Sequence, residues 1–447
     1  MSHALRRYDS KFAPDGIRAP SSLSGSSSIV PSAHGTRTAY CIRMHGGEII
    51  APSSQRFPLA SAGHGGRSDT ITSASADLPT SMRAAVLHAP GLDLVVTDVT
   101  LDDPEDDEVL VRIVATGVCH SDLSVVRGAV EVGLPLVPGH EAAGVVERVG
   151  SMVSRVRPGD RVVLSWAPNC GHCFYCAQGH PTLCDVYVAA AGTGRLWDGT
   201  SRLRITNRPL HHYSCVSSFA EFAVVPESGC VVLAADVPFE VAALIGCAVT
   251  TGFGAVVRDA GLRAGDSVAV IGIGGVGVNA IEAAALSGAV TIVAVDTNVA
   301  KNPIAYTHGA THFVNALDED AVDQVRALTS GRGVTHTVEC TGNSMAMTRA
   351  YEMTRPGGTV VMVGIARQGT VLSVPATGFP GSKKRIVGSI YGGGAPDADF
   401  ARISALYLSG KLQLDRQVGT RFALAEINSA LRRLEGGAPG RSIIQFD

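Results

Sequence analysis

The chain has 447 residues, of which 45% are hydrophobic and 17% charged, and its formal net charge is −3. This length predicts two or three domains, and a near-neutral charge without a basic patch argues against nucleic acid or an anionic membrane as a partner. No apolar run approaches the roughly 20 residues that a membrane-spanning helix needs. Ten cysteines, four of them between residues 170 and 184, indicate metal-held thiolates in a reducing compartment, the cytoplasm, rather than a secreted disulfide scaffold.

Residues 1–81 differ in composition from the rest of the chain. Segments such as SSLSGSSSIVPSAHGTR are rich in Ser, Gly and Ala, and their apolar residues follow neither a helical nor a strand period. These residues are therefore predicted to form a disordered N-terminal extension. A targeting peptide is the alternative, although the segment has neither an apolar core nor a clear amphipathic helix. Met82 directly precedes the first strand-like run and is a candidate natural start.

Deletion of residues 1–81 is expected to leave thermal stability and activity essentially unchanged. The segment offers too little apolar surface to offset the entropy that it would lose on ordering. The test compares the full chain with a protein that begins at Met82, by thermal unfolding and by the turnover of each. Loss of solubility or activity in the shorter protein would show that the segment folds onto the body.

Residues 82–163 have the pattern of short β-strands joined by turns. Pro158-Gly159-Asp160 is a turn by its residue types. These features predict a mainly β, antiparallel, barrel-like domain. The runs rich in β-branched residues are 83–87, 109–114, 143–149 and 161–164.

Four cysteines follow with short gaps, Cys170, Cys173, Cys176 and Cys184, in the pattern C-x2-C-x2-C-x7-C. Two-residue gaps allow one loop to wrap four thiolates around a tetrahedral Zn²⁺, and four protein ligands leave no open position. This predicts a structural zinc. The alternatives are paired disulfides, which such short gaps would strain, and an iron–sulfur cluster, whose bacterial pattern ends in Cys-Pro. His172 and His180 lie nearby but are not needed as ligands.

Residues 250–390 alternate between strand and helix patterns, as a doubly wound α/β sheet requires. An apolar run over 268–271 is followed by Gly272, Gly274 and Gly277 in the spacing G-x-G-x-x-G, and then by a helical pattern over 278–286. Strand, tight turn and helix N-terminus in this order predict a pyrophosphate-binding turn of a dinucleotide site. Gly275 and Val276 belong to the same turn.

A second apolar run, 290–295, ends in Asp296, 19 residues after Gly277. A carboxylate at this point can accept hydrogen bonds from a ribose diol and would repel a 2′-phosphate, which favours NAD over NADP. Later strands are predicted over 335–338 and 359–363, the second after a turn at 355–358, and a terminal strand over 442–446 should return to the first domain. The predicted division is 82–248, 249–390 and 391–447.

Three dispersed motifs carry further candidate ligands. They are Cys119 in GVCHSD, His140 and Glu141 in PGHE, and Cys247 in LIGCAVTTG. Each alone is as consistent with a core residue as with a ligand. Together with the four-cysteine loop and the turn GIGGVG, in this order, they resemble the zinc-dependent medium-chain alcohol dehydrogenase family. The resemblance covers residues 83–447 and implies a GroES-like catalytic domain beside a Rossmann coenzyme domain.

The resemblance implies a catalytic zinc held by Cys119, His140 and Cys247, with a fourth position open to an alcohol. The same resemblance gives roles to four neighbouring residues. Asp122 would orient His140, Glu141 would lie behind the metal, Ser121 would accept the substrate proton, and Trp166 would form a wall of the substrate pocket.

The resemblance also implies the remaining contacts of the coenzyme. Lys301 would lie near the adenosine ribose, Thr251 near the nicotinamide, and Val363 and Ile365 at the carboxamide. His120 occupies the position where many members of the family have an arginine that contacts the pyrophosphate. A histidine supplies a less certain positive charge near neutral pH.

Two positions depart from the family pattern. Ser124 stands where the usual proton relay has a histidine, so a hydroxyl or a water would have to complete the relay. In the C-terminal segment GRSII, Ile444 is aligned with an arginine that contacts pyrophosphate in many members. Whether Arg441 compensates is left open by the sequence.

The sequence therefore predicts an NAD-dependent alcohol dehydrogenase with two Zn²⁺ per chain, acting on a small alcohol or aldehyde. We expect a homo-oligomer, a dimer or a tetramer, in the cytoplasm. The nearest rival is a dehydrogenase of the same family that acts on a thiol adduct of formaldehyde. A non-catalytic binding relative is disfavoured because no structural need explains all of Cys119, His140 and Cys247.

Overall fold

The computed structural model describes residues 81–447. The predicted disorder of residues 1–81 lies outside this range, except that Ser81 already belongs to the first strand. The strands are β1 (Ser81–Val86), β2 (Val95–Leu101), β3 (Glu108–Gly117), β4 (Leu136–Val137), β5 (Glu141–Val149), β6 (Arg161–Leu164), β7 (Leu203–Ile205), β8 (Arg208–Pro209), β9 (His211–His212), β10 (Phe222–Pro226), β11 (Cys230–Val232), β12 (Ser267–Ile271), β13 (Thr291–Asp296), β14 (His312–Asn315), β15 (Val334–Glu339), β16 (Thr354–Met362), β17 (Arg385–Gly388), β18 (Val418–Phe422) and β19 (Arg441–Gln445).

Among the described residues, three α-helices have ten residues or more, and the other α-helices are shorter. The α-helices are α1 (His120–Val126), α2 (Phe174–Ala177), α3 (Asp185–Thr193), α4 (Phe239–Leu244), α5 (Thr250–Gly254), α6 (Gly275–Leu286), α7 (Asn302–Thr307), α8 (Ala321–Ala327), α9 (Ser344–Met353), α10 (Phe379–Ser382), α11 (Pro396–Leu408) and α12 (Ile427–Glu435).

The β-rich part contains a seven-stranded sheet in the order β11-β6-β5-β3-β19-β18, with β10 also paired to β3. A four-stranded sheet, β1-β2-β7-β8, packs beside it. Pairing is antiparallel except between β18 and β19 and in the small β4-β9 pair. The terminal strand β19 pairs with β3, so the C-terminal segment joins the first sheet. This is the predicted mainly β part of the fold.

The second part is a six-stranded parallel sheet in the order β14-β13-β12-β15-β16-β17. The chain starts in the middle at β12, moves outward to β14, and crosses back to β15, which creates a crevice at the carboxyl end of β12. This order confirms the predicted doubly wound α/β class.

Two predicted boundaries in this part of the fold are wrong, the start of a helix and the start of a strand. Helix α6 begins at Gly275, three residues earlier than predicted, because the last two glycines of the turn already have helical geometry. The turn predicted at 355–358 lies within β16, which begins at Thr354 and shifts its register against β15 between Val334 and His336. Gly357, at φ +76°, permits this irregularity without ending the strand.

A continuous helix, Phe239–Ala260, links the two parts. It combines α4 and α5 with two π-helical segments, Ile245–Val249 and Ala255–Ala260. The expectation that no apolar run approaches the length of a membrane span is wrong, because among residues 81–447 this helix alone is long and apolar enough to cross a membrane by length and composition. Most of it is buried inside the molecule. It is therefore a core helix. Segments of π-helix are rare and often occur at functional sites, and the first of these two contains Cys247.

Candidate active site

Three segments of the chain meet at one end of the long helix. Cys119 follows β3 and caps α1, His140 directly precedes β5, and Cys247 lies in the segment Ile245–Val249. The ligand atoms of these residues and of Glu141 all lie within 4.8 Å of one another, and all four residues are buried. Two sulfurs and an imidazole form a donor set that suits Zn²⁺.

Asp122 is fully buried in α1 and orders this cluster. Its Oδ1 accepts hydrogen bonds from Nδ1 of His140 at 3.0 Å and from the backbone of Gly139 at 3.1 Å, and its Oδ2 accepts from the backbone of Cys119 at 3.0 Å. With Nδ1 engaged, Nε2 of His140 faces the cluster, 3.4 Å from Sγ of Cys247. Burial lowers the pKa of His140, but Asp122 and Cys119 outweigh it and hold that pKa well above its usual value.

The two thiols of the cluster, Cys119 and Cys247, differ in pKa. A hydrogen bond from Cys247 lowers the pKa of Cys119 well below its usual value despite burial, and nearby Arg441 and His140 add to this effect. The same interaction, together with burial, raises the pKa of Cys247. One thiolate is therefore already favoured, whereas the second proton must leave when a metal binds.

Glu141 lies behind the cluster and is completely buried. Its Oε1 accepts a hydrogen bond from Nη2 of Arg441 at 2.8 Å, whereas its Oε2 has no partner among the described residues. Burial raises the pKa of Glu141 to about 7, against the opposing charge of Arg441. A buried carboxylate oxygen without a partner is costly, and a divalent cation held by the neighbouring thiols would offset that cost. The residues present thus fit a zinc ion.

The second set of cysteines forms a separate lobe around α2 and the start of α3. The sulfurs of Cys170, Cys173, Cys176 and Cys184 lie within 4.8 Å of one another, and all four are free thiols rather than disulfides. Backbone N–H groups of Cys170 and Cys173 donate to Sγ of Cys184 and Cys170, each at 3.3 Å. Four convergent sulfurs match a closed structural zinc site.

The glycine turn between β12 and α6 leaves space where a phosphate would lie. A Cβ added to Gly274 would meet no protein atom within 4 Å, so this face is open. A Cβ added to Gly277 would come within 1.9 Å of the carbonyl oxygen of Gly272, so helix and strand can approach only with glycine there. An open backbone face at a helix N-terminus fits a pyrophosphate.

Asp296 ends β13 at the far side of this turn and is almost fully buried. Its carboxylate accepts hydrogen bonds from the backbone of Ile273 at 2.6 Å and of Asn298 at 2.8 Å, and from Nζ of Lys301 at 3.0 Å. The carboxylate is therefore fixed in position, with its charge partly balanced by Lys301. A pair of hydroxyls could still bind its remaining lone pairs.

One cavity of about 800 Å³ joins the cysteine–histidine cluster to Asp296. The cavity lies at the carboxyl ends of the parallel strands, which is where doubly wound folds bind ligands. It brings together most of the residues singled out from the sequence: Cys119, His120, Ser121, Ser124, His140, Trp166, Cys247, Thr251, Gly272, Gly274, Val276, Asp296, Lys301, Val363 and Ile365.

The remaining candidates stand just outside this cavity. Asp122 and Glu141 lie behind the cluster, and Gly277 lies beneath the turn, where it permits close packing. Gly275 lines a smaller adjoining cleft of about 70 Å³ together with His120, Lys301 and Arg441. Burial, with Arg441 and Lys301 nearby, lowers the pKa of His120.

Ile444 stands where many members of the family have an arginine that contacts pyrophosphate. Ile444 is fully buried in β19, paired with Thr116, and packs in the core rather than toward the cavity. Arg441, three residues earlier, faces the glycine turn instead: a Cβ added to Gly275 would come within 2.6 Å of its Nη2. Residues three apart on a strand lie on opposite faces, so only one of the two can point at the turn.

Sequence reasoning missed three aromatic residues of the cavity, Tyr187, Tyr213 and Tyr391. Tyr213 packs edge-on against His140 with ring centroids 5.5 Å apart, and Tyr391 stacks on Trp166 at 4.3 Å. The only available signal was the sequence HHYSC around Tyr213 and the glycines after Tyr391, and neither pattern by itself indicates a ligand pocket.

Comparison with known proteins agrees with this geometry. Residues 105–235 match the family model described as the alcohol dehydrogenase GroES-like domain, and residues 275–409 match that of the zinc-binding dehydrogenases.

Individual relatives match nearly their whole length. The chain is 37% identical over 366 residues to the NDMA-dependent alcohol dehydrogenase of Amycolatopsis methanolica, covering 81% of this chain and 98% of that protein. It is 36% identical over 374 residues to the S-(hydroxymethyl)glutathione dehydrogenase of Paracoccus denitrificans, covering 81% and 99%. The crystal structure of benzyl alcohol dehydrogenase from Acinetobacter calcoaceticus superposes with a TM-score of 0.78 at 32% identity, over 82% of this chain and 99% of that one.

Proposed function

The chain belongs to the zinc-dependent medium-chain alcohol dehydrogenase family, and on that premise we propose that it catalyses reversible hydride transfer between an alcohol and NAD. The main support for this proposal is that one cavity has the three-ligand metal cluster at one end and Asp296 at the other. A substrate at the cluster and a dinucleotide along the glycine turn would meet in the middle of that cavity, beside Thr251.

Cys119, His140 and Cys247 would hold the catalytic zinc, and the four-cysteine lobe a second, structural zinc. Bound zinc would lower the pKa of an alcohol hydroxyl, and bound NAD would accept the hydride from the carbinol carbon. The protein's own part is orientation. Asp122 fixes the ring of His140 with Nε2 toward the metal position, and the Glu141–Arg441 ion pair holds β5 and β19 together behind it.

We propose that the hydroxyl of Ser121 takes the substrate proton. It lines the cavity and its Oγ lies 3.9 Å from Sγ of Cys119. Ser124, one turn later on α1, also lines the cavity, so a hydroxyl occupies the position of the usual relay histidine. We infer that the proton leaves along these two serines with a water between them.

The coenzyme would lie across the glycine turn with its pyrophosphate at Gly274. Arg441 would supply the positive charge that Ile444 lacks, and Lys301 would contribute a second cation. Asp296 would accept hydrogen bonds from the adenosine ribose, which supports NAD rather than NADP. Val363 and Ile365 line the opposite wall, where the carboxamide would lie.

Further features of the protein are proposed in the same way. We propose two zinc ions per chain, a homodimer or homotetramer in the cytoplasm, and a division into a catalytic domain (82–248 and 391–447) and a coenzyme domain (249–390). The thiol-adduct dehydrogenase is the alternative function, since a relative named for that activity is as similar as those named alcohol dehydrogenases.

The direct test is turnover of the zinc-replete protein with NAD and a panel of alcohols. The proposal predicts alcohol-dependent formation of NADH with release of the coenzyme. NADH formed only once per protein chain, with turnover restored by an artificial electron acceptor, would indicate that the coenzyme stays bound. No reaction with any alcohol or thiol adduct would overturn the proposed activity.

Asp122→Asn is expected to weaken zinc binding at the catalytic cluster by about 10- to 100-fold, because it removes the charge that orients His140 and favours the metal-binding tautomer. The measurement is zinc retention against a chelator, followed by turnover. The four-cysteine site is the internal control, since Asp122 does not contact it. Equal loss of zinc from both sites would point to general destabilisation instead.

A further inference from the structure

The end of the cavity nearest the metal cluster has aromatic walls. Tyr213 meets the ring of His140 edge-on, and Trp166 lies 6.4 Å from the same ring, also nearly perpendicular. Tyr391 stacks on Trp166, and Tyr187 tilts against it at 6.1 Å. Four aromatic side chains from four distant parts of the sequence thus enclose one side of the space beside the metal ligands.

Tyr391 presents its ring rather than its hydroxyl to this space, because the hydroxyl donates to the carbonyl oxygen of Gly246, behind the cavity. A group that enters this end of the cavity therefore meets aromatic faces and edges, which attract another ring in offset or edge-on geometry.

The backbone holds Tyr213 in place. Its N–H donates to Oγ of Ser217 at 2.9 Å, and its carbonyl accepts from the N–H of the same residue at 3.2 Å. Ser214, Cys215 and Ser217 all have positive φ, between 52° and 57°, in a region that non-glycine residues rarely adopt. Such conformations persist only where the surroundings enforce them, so the Tyr213 wall is formed in advance of binding.

The charged residues of the cavity lie at its opposite end. Lys301 is paired with Asp296, and Arg349 is hydrogen-bonded to the carbonyl of Ala316, whose N–H bonds the carbonyl of Asp296. At the metal end, the described residues that line the cavity beyond the ligands Cys119, His140 and Cys247 include no Asp, Glu, Lys or Arg.

Near Val130, the basic residue at the end of α1 in the described part of the chain is not free to bind an anionic substrate. Val130 lines the cavity, and the next residue, Glu131, is an exposed acid. Arg127, at the end of α1, is already engaged by both carboxylate oxygens of Glu435, at 2.9 and 2.6 Å.

We propose that the substrate is an uncharged primary alcohol carrying an aromatic ring, an arylmethanol, and that Tyr213 and Trp166 select for that ring. This inference rests on the proposed alcohol dehydrogenase function and narrows its substrate class. It disfavours the glutathione adduct of formaldehyde, which carries two carboxylates and one ammonium group. Those charges would lose water at this end of the cavity without gaining an ionic partner.

The test measures kcat/KM with NAD for benzyl alcohol, cyclohexylmethanol, ethanol and S-(hydroxymethyl)glutathione. Burying a ring of this size is expected to favour benzyl alcohol over ethanol by about 10- to 150-fold. Benzyl alcohol should also exceed cyclohexylmethanol and the glutathione adduct. Equal values for benzyl alcohol and either other alcohol, or a higher value for the adduct, would overturn the inference while leaving the proposed dehydrogenase activity intact.

Substitutions of single aromatic residues test which rings cause the preference for benzyl alcohol. Tyr213→Leu and Trp166→Leu should each lower the ratio of benzyl alcohol to ethanol kcat/KM by about 5- to 10-fold. Tyr213→Phe should keep the ratio, because the ring and not the hydroxyl forms the wall. Tyr306→Leu, at a half-exposed aromatic residue outside the cavity, is the matched control and should also keep it.

Two further outcomes of these measurements would overturn part or all of the inference. An unchanged ratio in both leucine variants would overturn the role of these rings, even if the wild-type protein prefers benzyl alcohol. No NADH from any of the four substrates, in protein shown to contain zinc, would overturn the proposed function and this inference with it.

Discussion

Cys247→Ser is expected to lower kcat/KM for the best alcohol by about a thousandfold or more, with the fold retained. A metal that acidifies the reacting hydroxyl contributes several kcal/mol to the transition state, and each 1.36 kcal/mol is a factor of ten in rate. Cys247 supplies one of only three protein ligands at that site, so its loss should remove the metal or misplace it. Turnover and zinc content are measured on the same protein, with circular dichroism as the check on folding.

Cys170→Ser is the matched variant, the same chemical change in the four-cysteine lobe. Structural zinc contributes to folding free energy, so this variant should lower the thermal midpoint by about 5 °C or more while the remaining folded protein keeps its turnover per catalytic zinc. If both serine variants lost activity in the same way and to the same extent, the division into a catalytic and a structural metal would be wrong.

Asp296→Gly is expected to narrow the preference for NAD over NADP, which should be on the order of a hundredfold or more in the unmutated protein. Each charge-assisted hydrogen bond to the ribose is worth about 1.5–3 kcal/mol, and every 1.4 kcal/mol is tenfold. Removing the carboxylate takes away those bonds and the repulsion of a 2′-phosphate. The measurement is kcat/KM for both coenzymes at one saturating alcohol concentration.

Lys301 provides the control for that prediction. Its Nζ lies 3.0 Å from Oδ2 of Asp296, so removal of the acid frees a cation at the position of the phosphate. A second change, Lys301→Ala, should then cost NADP more than NAD. Zinc content should be unchanged in both variants, because neither residue touches a metal ligand. Equal use of NAD and NADP by the unmutated protein would refute the role given to Asp296.

Local patterns allowed much of the fold to be predicted. The glycine spacing, the buried runs on either side and the terminal Asp296 are contiguous, and each is required by the backbone geometry of a phosphate-binding turn. The four cysteines of the lobe are likewise close in sequence, so their spacing alone predicts convergence. Helix α6 began earlier than predicted because glycine at a helix N-terminus costs little when the turn itself needs it.

Features that depend on tertiary packing could not be predicted in this way. Cys119, His140 and Cys247 are far apart in sequence, and only the resemblance to a family linked them. Either Arg441 or Ile444 can face the glycine turn, depending on which face of β19 points toward it. The spacing of the family motif did not show which face that is. The aromatic wall joins residues from four separate segments, and no period or motif connects them.

We expect each chain to hold two zinc ions with different tasks, and metal analysis combined with activity measurements checks this. Freshly purified, undepleted protein should contain two zinc ions per chain. Stepwise chelation should abolish NAD-linked alcohol turnover when the zinc with only three protein ligands leaves, before the fold is lost, and added zinc should restore it. A single zinc per chain, or turnover that persists after both ions are removed, would contradict the account.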